Sequence, residues 1–156
     1  MGVYVMIFKA GMNTKYFDLC VSALKSDPRS STADAKGLAG IIAGNATATA
    51  NATAAYLSGQ LYRSVNDTVL KKAVKECGDK YSLAADSLRL CVQDLVDEDY
   101  DYAYIHVTAA AEYPNSCRNI FRRSKGLVYP AAIRRREEDL KRICVVASGI
   151  IDSLGE

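Results

Sequence analysis

The sequence predicts an all-α fold: an up-down-up-down four-helix bundle with a short N-terminal helical extension. Three observations carry this. Leu70, Val74, Cys77, Tyr81, Ala84, Leu88, Cys91 and Leu95 alternate spacings of 4 and 3. That is an unbroken heptad seam, one apolar stripe along a single long helix. Ala103, Val107, Ala110, Pro114, Cys117 and Phe121 repeat the pattern after a charged break. Finally, the long apolar-striped runs are separated only by short polar breaks, so consecutive helices must turn back on one another. An open coiled coil is the competing arrangement, and short breaks between similar stripes disfavour it.

A chain of 156 residues is one domain by length and can bury a sizeable core. Residues 1–30 are assigned to the extension and 31–154 to the bundle. Charged residues make up 24% and the formal charge is +2, which gives no case for nucleic acid or a membrane surface as partner. No apolar run reaches the length of a spanning helix. Met1 to Ala10 (MGVYVMIFKA) is apolar but short. It lacks a basic leader region and a small-residue cleavage site, so no signal peptide is expected there. Position 6 is Met, which breaks the myristoylation pattern at Gly2.

In chain order, Lys15 to Leu24 predicts a short helix with Tyr16, Leu19, Cys20 and Ala23 on one face. Ser26-Asp27-Pro28 ends it, since the residue before proline avoids the helical region. Ser31 to Asp34 reads as a capping box that opens an alanine-rich helix to about Arg63. Leu38, Ile41, Ile42, Thr49, Ala52 and Tyr56 fall on one stripe of that helix. Asp67 or Thr68 caps the second helix, which carries the first seam. The third helix follows the acidic break, and Pro114 is expected to kink or break it. Gly126 to Pro130 is the next break. The last helix runs from Ala131 to Leu154 on Leu140, Cys144, Ala147, Ile151 and Leu154.

Cys77 and Cys117 each lie twenty residues from Asp97, in the middle of the acidic break. On an antiparallel hairpin both are roughly 30 Å from the turn at the helical rise per residue. Both are seam residues at matched depth, hence candidates for a disulfide. Five cysteines is an odd count, no C-x-x-C pair exists, and His106 is the single histidine, so the usual zinc arrays are absent and no cofactor is expected. Cys91 and Cys144 on the seams read as buried, inert thiols.

Asn45, Asn51 and Asn66 begin N-x-Thr sequons. Asn45 lies in the predicted stripe and is expected to be unmodified, whereas Asn51 and Asn66 are the glycan candidates. Chance occurrence in an Asn/Thr/Ala-rich stretch is the competing explanation. Charge is polarised: Glu76 to Glu112 holds nine acidic and two basic residues, Arg118 to Arg142 nine basic and three acidic. Solvated helix ends would also account for this.

No catalytic constellation is present: no nucleophile elbow, P-loop or H-E-x-x-H. The carboxylates of the break lack the glycine-punctuated spacing of a calcium loop. A clasped bundle without an active site acts through its surface, as a binding or inhibitor module.

Several motifs then share a resemblance. Tyr16-Phe17-Asp18-Leu19-Cys20, Ser26-Asp27-Pro28-Arg29-Ser30, Leu70-Lys71-Lys72-Ala73 leading to Cys77 and Tyr81, Tyr100 to Ala111, and Ser116-Cys117 with Phe121 resemble the plant invertase and pectin methylesterase inhibitor family. The match is strongest in a branch of invertase inhibitors that includes a plane-tree pollen protein. The resemblance implies secretion to the cell wall (apoplast) and a target enzyme as partner. It also implies one disulfide matching Cys77 and Cys117, and a second closing the extension. Cys20 matches the second member of that second pair; Met1 to Lys15 holds no cysteine, which an N-terminal truncation or misassigned first exon would explain, and only if the chain is as written is Cys20 expected to be a free thiol. The resemblance implies inhibition by occupation of the enzyme's cleft. Pectin methylesterase inhibitors lay a helical face over it. Invertase inhibitors insert the turn between the second and third bundle helices, tipped by Pro-Lys-Phe. Here that turn reads Glu98-Asp99-Tyr100, where acid replaces the lysine. The expectation is therefore pectin methylesterase as target, with invertase or a non-inhibitory interaction role as alternatives.

Overall fold

The computed structural model describes residues 34–155. The short helix at Lys15 to Leu24, the Ser26-Asp27-Pro28 stop and Cys20 lie outside the described residues. Four long helices form the bundle: α1 (Ala35–Tyr56), α2 (Thr68–Val96), α3 (Tyr100–Arg123) and α4 (Ala131–Leu154). α1 continues through a π-helical segment, Leu57–Leu61, into a last α-turn, Tyr62–Ser64. Each helix packs on its neighbours in sequence and α4 closes back on α1, with the largest interface between α2 and α3.

That interface is the pair of seams. Every seam residue of α2 from Val74 to Leu95 is buried, with only Leu70 half-buried, and all six of α3 are buried. Cys77 and Cys117 are joined, with Cα atoms 4.7 Å apart. At this junction α1 comes in closely: a Cβ on Gly78 would meet Leu57 Cβ at 3.5 Å and the Ser58 backbone nitrogen at 3.6 Å. A residue larger than alanine there would force α1 and α2 apart.

Three expectations are corrected. Asp34 is itself the N-cap of α1, its carboxylate accepting the Gly37 N–H at 2.8 Å, rather than the far member of a capping box. The stripe of α1 holds at Leu38, Ile41 and Ile42 but then shifts by one residue. Ala46, Ala50, Thr53, Ala54 and Leu57 are buried, while Thr49 and Tyr56 are half-buried and Ala52 is exposed. Alanines carry almost no pattern of their own, and close helix approach selects the smallest side chains. Asn45 is accordingly half-buried beside the core rather than in it. Finally, of the expected kink or break at Pro114 the break does not occur: α3 stays helical through Pro114, whose ring is buried on the seam. Packing on both flanks holds the helix where the proline removes one hydrogen bond.

One charged residue lies in the core. Glu137 is 4% exposed. Its carboxylate accepts from Lys141 Nζ at 3.2 Å and from the Tyr129 hydroxyl at 3.0 Å, and faces Arg118 at 3.6 Å. Tyr129 also packs edge-on against Phe121, with ring centroids 5.3 Å apart. The linker after Gly126, which sits at φ +87°, is thereby tied to both α3 and α4. A buried carboxylate costs several kcal/mol to desolvate, so this one requires its partners.

Closing a loop across a sequence separation of 40 stabilises by about 4 kcal/mol in the chain-entropy model. The Cys77→Ala/Cys117→Ala double variant should therefore lose about 3–4 kcal/mol in denaturant unfolding while keeping its helical spectrum. Non-reducing peptide mapping should recover the Cys77–Cys117 peptide. A double variant as stable as the parent would contradict this.

Candidate functional site

The α2–α3 turn forms one tip of the bundle, and its geometry follows from how α2 ends. The Asp99 N–H donates to the Asp94 carbonyl at 2.8 Å and the Glu98 N–H to the Leu95 carbonyl at 3.2 Å. This is a Schellman termination, which places the residue after the C-cap in the left-handed region. That residue is Glu98, at φ +59°, where glycine is the usual occupant. Asp99 then caps α3, its carboxylate accepting the Tyr102 N–H at 3.4 Å. Of the three residues singled out in the sequence, Glu98 projects at the tip, Asp99 is occupied as a cap, and Tyr100 is half-buried against the core.

The tip is more than its acids. Lys36, from the first turn of α1, donates to Glu98 Oε1 at 3.2 Å. The hydrogen bond and charge of Glu98 raise the Lys36 ammonium above its ordinary value. Both side chains are solvated, so the pair orients the tip more than it stabilises the fold. Below the tip, the Ser87 hydroxyl donates to the His106 carbonyl at 2.8 Å, and His106 Nδ1 lies 2.5 Å from Asp94 Oδ2. His106 is thus a structural cross-link between α2 and α3.

Large apolar side chains gather at the same end. Leu90, Val96, Tyr102, Tyr104 and Ile105 are exposed, Val96 by 64% and Tyr102 by 57%. All lie within about two turns of Asp97–Asp99. A groove of about 440 Å³ runs between the start of α3 and the end of α4, lined by Tyr100, Tyr104, Ile105 and Ile151. Val96 borders a different groove, between α1 and α2, so these side chains ring the tip rather than form one patch, and exposed apolar residues around a charged turn make it the candidate contact surface. The heptad seams do not mark these residues; large apolar side chains off the seam, at Leu90, Tyr102 and Ile105, are the signal for them in the sequence.

Among the described residues, no three of His, Cys, Asp or Glu are grouped to hold a metal. Burial pushes the Cys91 and Cys144 thiols up to about 12, so both remain protonated and unreactive at physiological pH. No described helix is long and apolar enough to cross a membrane. Asn51 and Asn66 are both exposed, Asn66 in the break between α1 and α2. Asn51 Oδ1 accepts from Arg89 Nη2 at 3.0 Å.

Comparison with known proteins gives this surface a context. Residues 9–150 match the family described as plant invertase/pectin methylesterase inhibitor. The Arabidopsis thaliana cell wall / vacuolar inhibitor of fructosidase 2 is 63% identical over 143 residues, which is 92% of this chain and 79% of that protein. Pectinesterase inhibitor 28 of Oryza sativa subsp. japonica is 40% identical over 146 residues, 89% of this chain and 64% of that protein. A crystal structure of a mutant form of a pectin methylesterase inhibitor from Arabidopsis superposes with a TM-score of 0.77 at 20% identity, covering 94% of this chain and 95% of that one, which shows the shared fold. The chain belongs to the plant invertase/pectin methylesterase inhibitor family. Its members are enzyme inhibitors rather than enzymes.

A left-handed non-glycine residue costs about 1 kcal/mol. Glu98→Gly should therefore raise the melting temperature by about 4 °C. A lower melting temperature would show that the Lys36 contact outweighs the backbone strain.

Proposed function

We propose that the protein inhibits a plant cell-wall carbohydrate-active enzyme by occluding the enzyme's active-site cleft with the tip of the α2–α3 hairpin and the exposed helical face beside it. The observation that carries this is the coincidence, at one end of a rigid hairpin, of a projecting turn and five exposed large apolar side chains. The contact residues are Glu98, Asp99 and Tyr100, flanked by Val96, Tyr102 and Ile105. The proposed location is the cell wall, in keeping with the names of the relatives.

Pectin methylesterase is the target that the tip charge favours. Asp97, Glu98, Asp99 and Asp101 leave it acidic even with Lys36 beside Glu98. Inserted into an invertase active site, where the lysine of the Pro-Lys-Phe tip would meet acidic catalytic residues, such a tip meets like charge, at a cost of several kcal/mol when desolvated. The second reading, invertase as target, is favoured by the 63% identity to an inhibitor of fructosidase, the higher of the two identities. Asn51 and Asn66 are proposed as glycan acceptors because both are exposed; loss of mass at those peptides on glycosidase treatment would show it.

Purified pectin methylesterase and cell-wall invertase, each titrated with the protein at apoplastic pH, separate the readings. Dose-dependent loss of methylesterase activity alone supports the first, and loss of invertase activity alone the second. Full activity of both at micromolar protein overturns inhibition. On the charge argument, Glu98→Lys should also strengthen inhibition of invertase by about tenfold or more.

A further inference from the structure

The α1 residues that depart from the predicted stripe line a second feature. Thr49, Ala52 and Tyr56 face a groove of about 590 Å³ between α1 and α4, with Thr53, Arg135 and Arg136 among its walls. Arg136 is held in place. Its Nη1 donates to Thr53 Oγ1 at 3.2 Å, and its guanidinium lies 4.2 Å from the Tyr56 ring centroid. Thr53 is fully buried, so this anchor does not move with solvent. Arg136 and exposed Arg135 both line the groove, and neither has a carboxylate partner among the described residues. The ion pairs described on α4 engage Glu137, Glu138, Lys141 and Arg142 instead.

The groove opens at the end of the bundle opposite the acidic tip, where the stretch Arg118 to Arg142 carries nine basic residues against three acidic. An anion is therefore drawn toward it. Two guanidinium forks match the planar geometry of a carboxylate. Asp139, also in the lining, disfavours a densely charged group such as a phosphate or sulfate but accepts hydrogen bonds from hydroxyls. Thr49 adds a hydroxyl and Tyr56 an aromatic wall. One carboxylate surrounded by hydroxyls on an apolar ring satisfies all of these at once.

We propose that the α1–α4 groove is a binding site for an acidic sugar, a uronate unit of a de-esterified polysaccharide, with Arg135 and Arg136 taking the carboxylate and Asp139 the hydroxyls. Such a site would hold the protein on a polymer whose carboxylates are exposed while leaving the α2–α3 tip free. It goes beyond the inhibitory reading and does not depend on it.

The test is calorimetric titration of the full chain, without any enzyme, with a de-esterified oligogalacturonate, its fully methyl-esterified counterpart and dextran sulfate at matched ionic strength. The acid form should bind and the ester should not. Arg135→Gln should weaken binding by about tenfold, the worth of a charge-assisted contact. Arg136→Gln should do at least as much. Lys125→Gln, at the same basic end but outside the groove, should leave binding unchanged. Arg135 makes no ion pair among the described residues, so its variant keeps the fold, as circular dichroism would check. Equal binding of ester and acid, equal loss on Lys125→Gln, or equally tight Arg135-dependent binding of dextran sulfate would each overturn the uronate site. Absence of binding to the acid form would do the same.

Discussion

The interface between α2 and α3 is the constraint on which the rest of the structure depends. Two heptad seams face each other along nearly the whole hairpin, and the Cys77–Cys117 bridge fixes their register at the end remote from the turn. Near the turn, Ser87 and Asp94 of α2 grip the backbone and ring of His106 on α3. A hairpin fastened covalently at its base and by hydrogen bonds near its tip has little freedom to splay. α1 and α4 then cover its remaining apolar face, and the close approach at Gly78 sets how tightly α1 can do so.

Rigidity at the tip bears on the proposed inhibition by occupation, which involves no chemistry. The affinity of an inserted element depends on how little ordering it must undergo on binding. The Schellman termination of α2 and the Asp99 cap of α3 define the three-residue turn completely, even though Glu98 must adopt a left-handed conformation to complete it. Lys36 joins the turn from α1, so a third helix contributes to the charge the tip presents. The opposite end carries the reverse charge. Arg118, Lys141 and Tyr129 converge there on buried Glu137, while Arg135 and Arg136 face outward into the α1–α4 groove. The molecule is thus polarised along its axis, with an acidic, aromatic-rich tip at one end and a groove lined by Arg135 and Arg136 toward the other.

Much of the fold was legible because α2 and α3 use large apolar residues at strict spacing. Leu88, Tyr81 and Phe121 have one face each to bury, and a heptad rule finds it. The cysteine pair followed from the same periodicity. α1 was less legible: Ala46, Ala50 and Ala54 are chosen for their smallness, and a wheel weighted by hydrophobicity cannot distinguish them from exposed Ala52. That one-residue slip placed Thr49 and Tyr56 in the core when they border a groove. The environment of Glu137 was invisible for a different reason, since its partners converge from α3, the linker and α4 only after folding. At the tip, the charge of Glu98 and Asp99 was readable, but the left-handed backbone and the arrival of Lys36 were not. Each depends on a tertiary contact or a hydrogen-bond closure that spacing does not encode.

The proposed enzyme-facing surface is the α2–α3 tip with the exposed side chains around it. Amide hydrogen exchange measured on the protein alone and bound to whichever enzyme it inhibits tests this directly. New protection is expected across the turn and first two turns of α3, from Asp97 to about His106, with α1–α4 groove amides near Arg135 unchanged. Protection confined to the groove, or to the outer faces of α1 and α4 with the turn exchanging as in the free protein, would contradict it.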